Sequence, residues 1–75
     1  MPVKILLNEE DSAIRIGAIL KSRREELGQS KMDLARKAHT NVATINHIEN
    51  GDGNVTISTI IRIAMSMGLS ARLEL

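Results

Sequence analysis

Residues 30–51 read SKMDLARKAHTNVATINHIENG, and this stretch decides the fold. Ser30 followed by Asp33 forms an S-x-x-D capping pattern, in which hydroxyl and carboxylate each take an N–H left over at a helix start. Leu34, Ala35 and Ala38 then supply a short apolar face, enough for a helix of about two turns. His39-Thr40-Asn41 interrupts it. Asn41 is a good N-cap for a second helix, whose inward residues Ile45 and Ile48 stand one turn apart. Asn50-Gly51 closes that helix, with Gly51 in the left-handed cap position.

Upstream, Met1–Leu7 alternates at Val3, Ile5 and Leu7, so residues 1–11 are an arm or a short strand. Asn8–Ser12 is polar and acidic, which favours a following helix N-terminus, and Ser12 is its expected N-cap. That helix carries Ile16, Leu20 and Leu27 along one stripe with Ile19 beside it, and Gly28 ends it. Downstream, Thr56 caps a further helix with Ile57, Ile60, Ile61, Ala64 and Met67 on the expected inward face, stopped by Gly68. Ile63 and Met65 fall outside that stripe, which makes this helix more apolar than a monomer needs. Leu69, Ala71, Leu73 and Leu75 then alternate with Ser70, Arg72 and Glu74, as a strand does. A lone strand is unstable, so it needs Met1–Leu7 or the same strand of a second subunit as its partner.

Seventy-five residues support one small core and no second domain. There is no cysteine, so neither a disulfide nor a thiolate metal site is available. The core must be aliphatic, because the chain has no Phe, Trp or Tyr. That also removes the stacking platforms of most single-strand nucleic-acid binders. No apolar run is long enough for a transmembrane helix, and Met1–Leu7 is too short for a signal peptide. The resulting expectation is a cytoplasmic protein, with no membrane partner.

Net charge is +1 overall but unevenly spread. Residues 1–11 sum to −2, residues 12–47 to +4 and residues 48–75 to −1. The basic excess is therefore confined to the middle of the chain, where a polyanion would be met. Two helices separated by a three-residue turn suit a helix-turn-helix, whose second helix enters a major groove while the first braces it.

The runs Leu34-Ala35-Arg36-Lys37-Ala38, Thr44-Ile45-Asn46-His47-Ile48-Glu49-Asn50-Gly51 and Ile61-Arg62-Ile63-Ala64 with Gly68-Leu69 resemble the phage Cro and repressor type of helix-turn-helix family. The resemblance covers roughly residues 16–69 in register. It implies a mainly α, lambda-repressor-like bundle of four or five helices at residues 12–68, followed by a C-terminal strand at 69–75. It also implies a homodimer that reads a palindromic, double-stranded operator, and hence association with the nucleoid. Asn54-Val55-Thr56-Ile57 with Gly68-Leu69-Ser70-Ala71-Arg72-Leu73 is similar to antitoxins of the HipB kind. Those repress their own operon and bind a HipA-type kinase toxin.

With Ile45 and Ile48 inward, a step of 100° per residue turns Ala43, Asn46, His47 and Asn50 outward, with Asn41, Val42 and Thr44 at the entering end. Asn46 is suited to a bidentate bond with adenine, Val42 and Ala43 to thymine methyl groups, and His47 to a base or phosphate. Lys31 stands where the family commonly places a phosphate-touching glutamine. Lys21, Arg23 and Arg36 are further cations that read as distant phosphate contacts or, each taken alone, as solvated. Arg24 and Glu49 match a family pair that bridges the first helix to the recognition helix. His39 departs from the family's usual glycine at a left-handed turn. Ile63, Met65, Leu69, Ala71, Leu73 and Leu75 are the expected dimer contacts. No nucleophile–base–acid set, metal-ligand spacing or phosphate loop can be placed, so the reading is a DNA-binding repressor or antitoxin without cofactor, not an enzyme.

Overall fold

The computed structural model describes residues 4–7, 13–52 and 55–73, with side chains over 13–52 and 55–70. Four helices dominate: α1 (Ala13–Glu26), α2 (Lys31–Lys37), α3 (Val42–Glu49) and α4 (Ile57–Ser66). Two short strands flank them, β1 (Lys4–Leu7) and β2 (Ser70–Leu73). A fifth helix is not found among the described residues. Nor is any helix there long and apolar enough to cross a membrane.

The helix starts are built by the side chains that cap them. Ser30 Oγ accepts from Asp33 N at 3.0 Å, and Asp33 Oδ2 accepts in return from Ser30 N at 3.2 Å. Asn41 Oδ1 accepts from Thr44 N at 2.8 Å, and Thr56 Oγ1 from Thr59 N at 3.3 Å. The first two caps satisfy amides that have no backbone partner one turn earlier, whereas Thr59 N also donates to the Thr56 carbonyl at 3.1 Å. Ser12, the expected cap of α1, lies outside the described residues.

All four helices end on the same pair of backbone bonds, the Schellman arrangement. At the end of α2, Thr40 N donates to Ala35 O at 2.9 Å and His39 N to Arg36 O at 3.3 Å. The residue at the turn of this motif must adopt a left-handed backbone. Glycine fills it at positions 28, 51 and 68, whereas after α2 it is His39, at φ 55°. His39 therefore carries the strain that its side chain predicts for this position.

The core gathers one face of every helix. Leu20, Leu34, Ile45 and Ile63 are its largest fully buried members, joined by Ala35, Ala38, Ile48 and Ala64. Leu27, expected on the α1 stripe, is instead 42% exposed. Helix α1 stops at Glu26, and Leu27 stands at the turn that ends it. On α4 the buried face is Ile63, Ala64 and Met67, with Ile60 and Ile61 at its margin and Ile57 exposed. Ile63 is 1% exposed and Leu69 4%, so both side chains are spent in the chain's own core. This corrects their assignment as contacts for a second subunit. Met65, at 64% exposure, keeps an outward position.

A close helix crossing involves a residue that local pattern did not single out. At Gly17 of α1 an added Cβ would lie 2.1 Å from the Ile48 carbonyl oxygen of α3 and 3.4 Å from the Glu49 Cα. The α1 backbone thus rests directly on the α3 backbone. Only a residue without a side chain permits that approach.

β1 and β2 pair in parallel, with Lys4 opposite Ser70 and Leu7 opposite Leu73. A parallel pair needs a long crossover, and here the whole helical bundle is that crossover. Of the two partners open to the tail strand, the N-terminal segment of the same chain is the one it takes.

Candidate nucleic-acid interface

The candidate interface is the outer side of α3 with the start of α2. Helix α3 is held from beneath by Ile45 and Ile48, both buried, and from behind by the contact of its Ile48 carbonyl with Gly17. Two anchoring side chains one turn apart fix the roll of a helix about its own axis. The opposite side then follows by geometry: Ala43, His47 and Asn50 are exposed, as is the cap Asn41. Asn46 and Thr44 lie on the flanks, partly buried. Val42 is also partly buried and packs against the core, so only part of its surface is left for a ligand.

A buried ion pair clamps the far end of α3. Arg24 Nε donates to Glu49 Oε2 at 2.7 Å and Arg24 Nη2 to Glu49 Oε1 at 3.1 Å, a two-pronged contact. Arg24 Nη1 also donates to the Gln29 carbonyl at 2.9 Å, tying the α1–α2 turn into the same knot. Arg24 is only 9% exposed. Its hydrogen bonds to Glu49 raise its pKa above the ordinary guanidinium value, against the opposing cost of burial. Neither residue can meet a ligand; both hold the helix that does.

At the near end, Lys31 Nζ donates to Asn46 Oδ1 at 2.7 Å. This links the first residue of α2 to the flank of α3 and places the two polar groups side by side. His47 Nδ1 lies 3.1 Å from Asp52 Oδ2, so the imidazole is turned toward the turn beyond the end of α3. Nothing in the sequence pattern signalled Asp52 or Gly17. Of the other cations, Arg23 is committed, since its Nε donates to the Met67 carbonyl at 3.1 Å and its Nη1 pairs with Glu26. Lys21, Arg36 and Lys37 are exposed. Asp33 is consumed by the capping box, whose hydrogen bonds from Ser30 hold its carboxyl below the usual carboxylate range. The acids nearest this surface are therefore engaged, which leaves a face of net positive character. Ala71 and Leu73 lie in β2, but their side chains, like Leu75 as a whole, lie outside the described residues.

An outward helix on a rigid brace, flanked by cations, defines a DNA-binding module of the helix-turn-helix class. Comparison agrees: residues 20–73 match a family model described as helix-turn-helix. The chain belongs to that family, in its Cro and repressor (XRE-like) branch, and is a DNA-binding regulator. No curated protein matches the sequence.

Proposed function

We propose that this protein is a sequence-specific transcriptional repressor that acts as a homodimer on a palindromic operator. Each protomer inserts α3 into a major groove, and Ala43, Asn46, His47 and Asn50 read base edges there. Asn41 and Thr44 meet the groove at the entering end, beside what Val42 leaves exposed. The observation that carries this reading is the fixed roll of α3, which turns polar and small side chains outward while Ile45 and Ile48 stay in the core.

The dimer is supported by two features. Among the described residues β2 is paired on one edge only, and an open edge with Ala71 and Leu73 on it invites the same strand of a second copy. The protomer measures 31 × 29 × 18 Å, which suits half-sites one helical turn, about 34 Å, apart. Met65 adds exposed apolar surface to the same helix that leads into β2.

A second reading, an antitoxin that neutralises a HipA-type kinase toxin and represses its own operon, is compatible with the first. It is favoured by the tail, whose sequence resembles the HipB kind and whose segment Ser70–Leu73 forms a strand. Copurification with the product of an adjacent gene decides between a repressor alone and a repressor that also sequesters a toxin.

The test of the main reading is selection from a random double-stranded DNA pool, followed by titration of the selected duplex against a scrambled one. A selected inverted repeat, bound with an affinity that falls steeply between about 50 and 200 mM salt, is the expected result. Equal affinity for both duplexes would end the proposal.

A further inference from the structure

We propose that Lys31 and Asn46 act as one reading unit that selects guanine, and that Lys31 sets this choice instead of serving as a phosphate clamp. The proposal rests on the reading of α3 as the groove-entering helix and assigns the base class that one of its positions takes.

The lysine ammonium carries only donors. The amide atom 2.7 Å from it must therefore be the Asn46 oxygen, which fixes the orientation of that amide. A free asparagine reads adenine by accepting from N6–H and donating to N7 at once. Here one of the two lone pairs of the accepting oxygen is already taken by a cation. What the pair still offers is the two amide protons of Asn46 and the remaining ammonium protons of Lys31, a patch made almost wholly of donors.

The charge acts in the same direction. A cation at hydrogen-bond distance from the reading atom repels the amino groups of adenine and cytosine, which present electropositive N–H in the major groove. It attracts guanine, whose O6 and N7 are both acceptors. Both residues are partly buried, so the charge is screened less than on a fully exposed side chain. Glu49 and Asp52, the acids at the end of α3 and just beyond it, face Arg24 and His47 respectively and leave this flank positive.

The experiment is selection from a random double-stranded DNA pool with the full chain and with Lys31→Met and Asn46→Ala, folding being checked by thermal melts. Methionine keeps the length and helix preference of lysine while removing charge and donors. Wild type is expected to enrich guanine at one position of each half-site, roughly 5- to 150-fold over adenine. Lys31→Met is expected to move that one position toward adenine and leave the others unchanged, and Asn46→Ala to lose the preference there.

If Lys31→Met keeps the wild-type preference and lowers affinity equally for all sequences, with a salt slope smaller by about one, Lys31 is a phosphate contact and the proposal fails. If wild type enriches adenine at that position, it fails as well. If wild type enriches no sequence at all, the sequence-specific reading of α3 falls first and this assignment falls with it.

Discussion

Gly17→Ala is the substitution that most directly tests how α3 is held. The new Cβ would sit 2.1 Å from the Ile48 carbonyl oxygen and 3.2 Å from its carbonyl carbon, whereas comfortable contacts between non-bonded carbons begin near 3.5 Å. The obstructing atoms are backbone, so no rotamer change relieves them; α1 and α3 must separate by about an ångström. Overpacking of this kind costs about 3 kcal/mol, toward the top of its usual range. The exchange of glycine for alanine within a helix returns about 1 kcal/mol. A net loss of about 2 kcal/mol lowers the melting temperature of a domain this small by roughly 8–16 °C. Circular dichroism melts of Gly17→Ala read that shift. Ala18→Gly, one residue away on the exposed side of α1, is the control and should cost about 1 kcal/mol by helix preference alone. An unchanged or raised melting temperature for Gly17→Ala would refute the close backbone crossing.

Three further outcomes are expected. His39→Gly removes left-handed strain of about 1–2 kcal/mol at a small entropic cost, so the melting temperature should rise with DNA binding retained; a clear fall would contradict the φ of 55° at that turn. Arg24→Met leaves the Glu49 carboxylate buried without its partner and should destabilise by about 3–5 kcal/mol, and Arg24→Met with Glu49→Met should recover most of it in chemical denaturation. Asp33 has a depressed pKa, so its contribution to stability is present in full above the ordinary carboxylate value near 4 and disappears as pH falls through the lower folded value. Asp33→Asn should therefore flatten the acid limb of the stability–pH curve, and an unchanged limb would remove the capping box from the account.

Much of the architecture is written in local chemistry. Ser30, Asn41 and Thr56 cap the helices they precede, and Gly28, Gly51 and Gly68 turn left-handed just beyond helix ends, because caps and stops depend on the few residues around them. Ile45 and Ile48 are buried, since α3 has enough polar residues to distinguish its two sides. On α4 that contrast is missing. Ile57, Ile60, Ile61, Ile63, Met65 and Met67 are all apolar, so periodicity alone allows several inward faces and tertiary packing chooses Ile63 over Ile57. Gly17 was illegible for a different reason: a glycine inside a helix reads as a weak helix former, and its purpose lies on another helix. The link from Lys31 to Asn46 likewise spans two elements, and no spacing rule reaches across the turn between them.

The ladder between β1 and β2 brings together segments from near the two extremes of the described chain. Closing so long a loop costs conformational entropy that four-residue strands repay poorly. The helical contacts, which are closer in sequence, form earlier, and the strands can dock only onto a bundle that already exists. Strand docking is thus expected to be the last and most easily reversed event of folding. Amide exchange should be fastest along Lys4–Leu7 and Ser70–Leu73, and in the proposed dimer assembly through the open edge of β2 would wait on completion of the monomer.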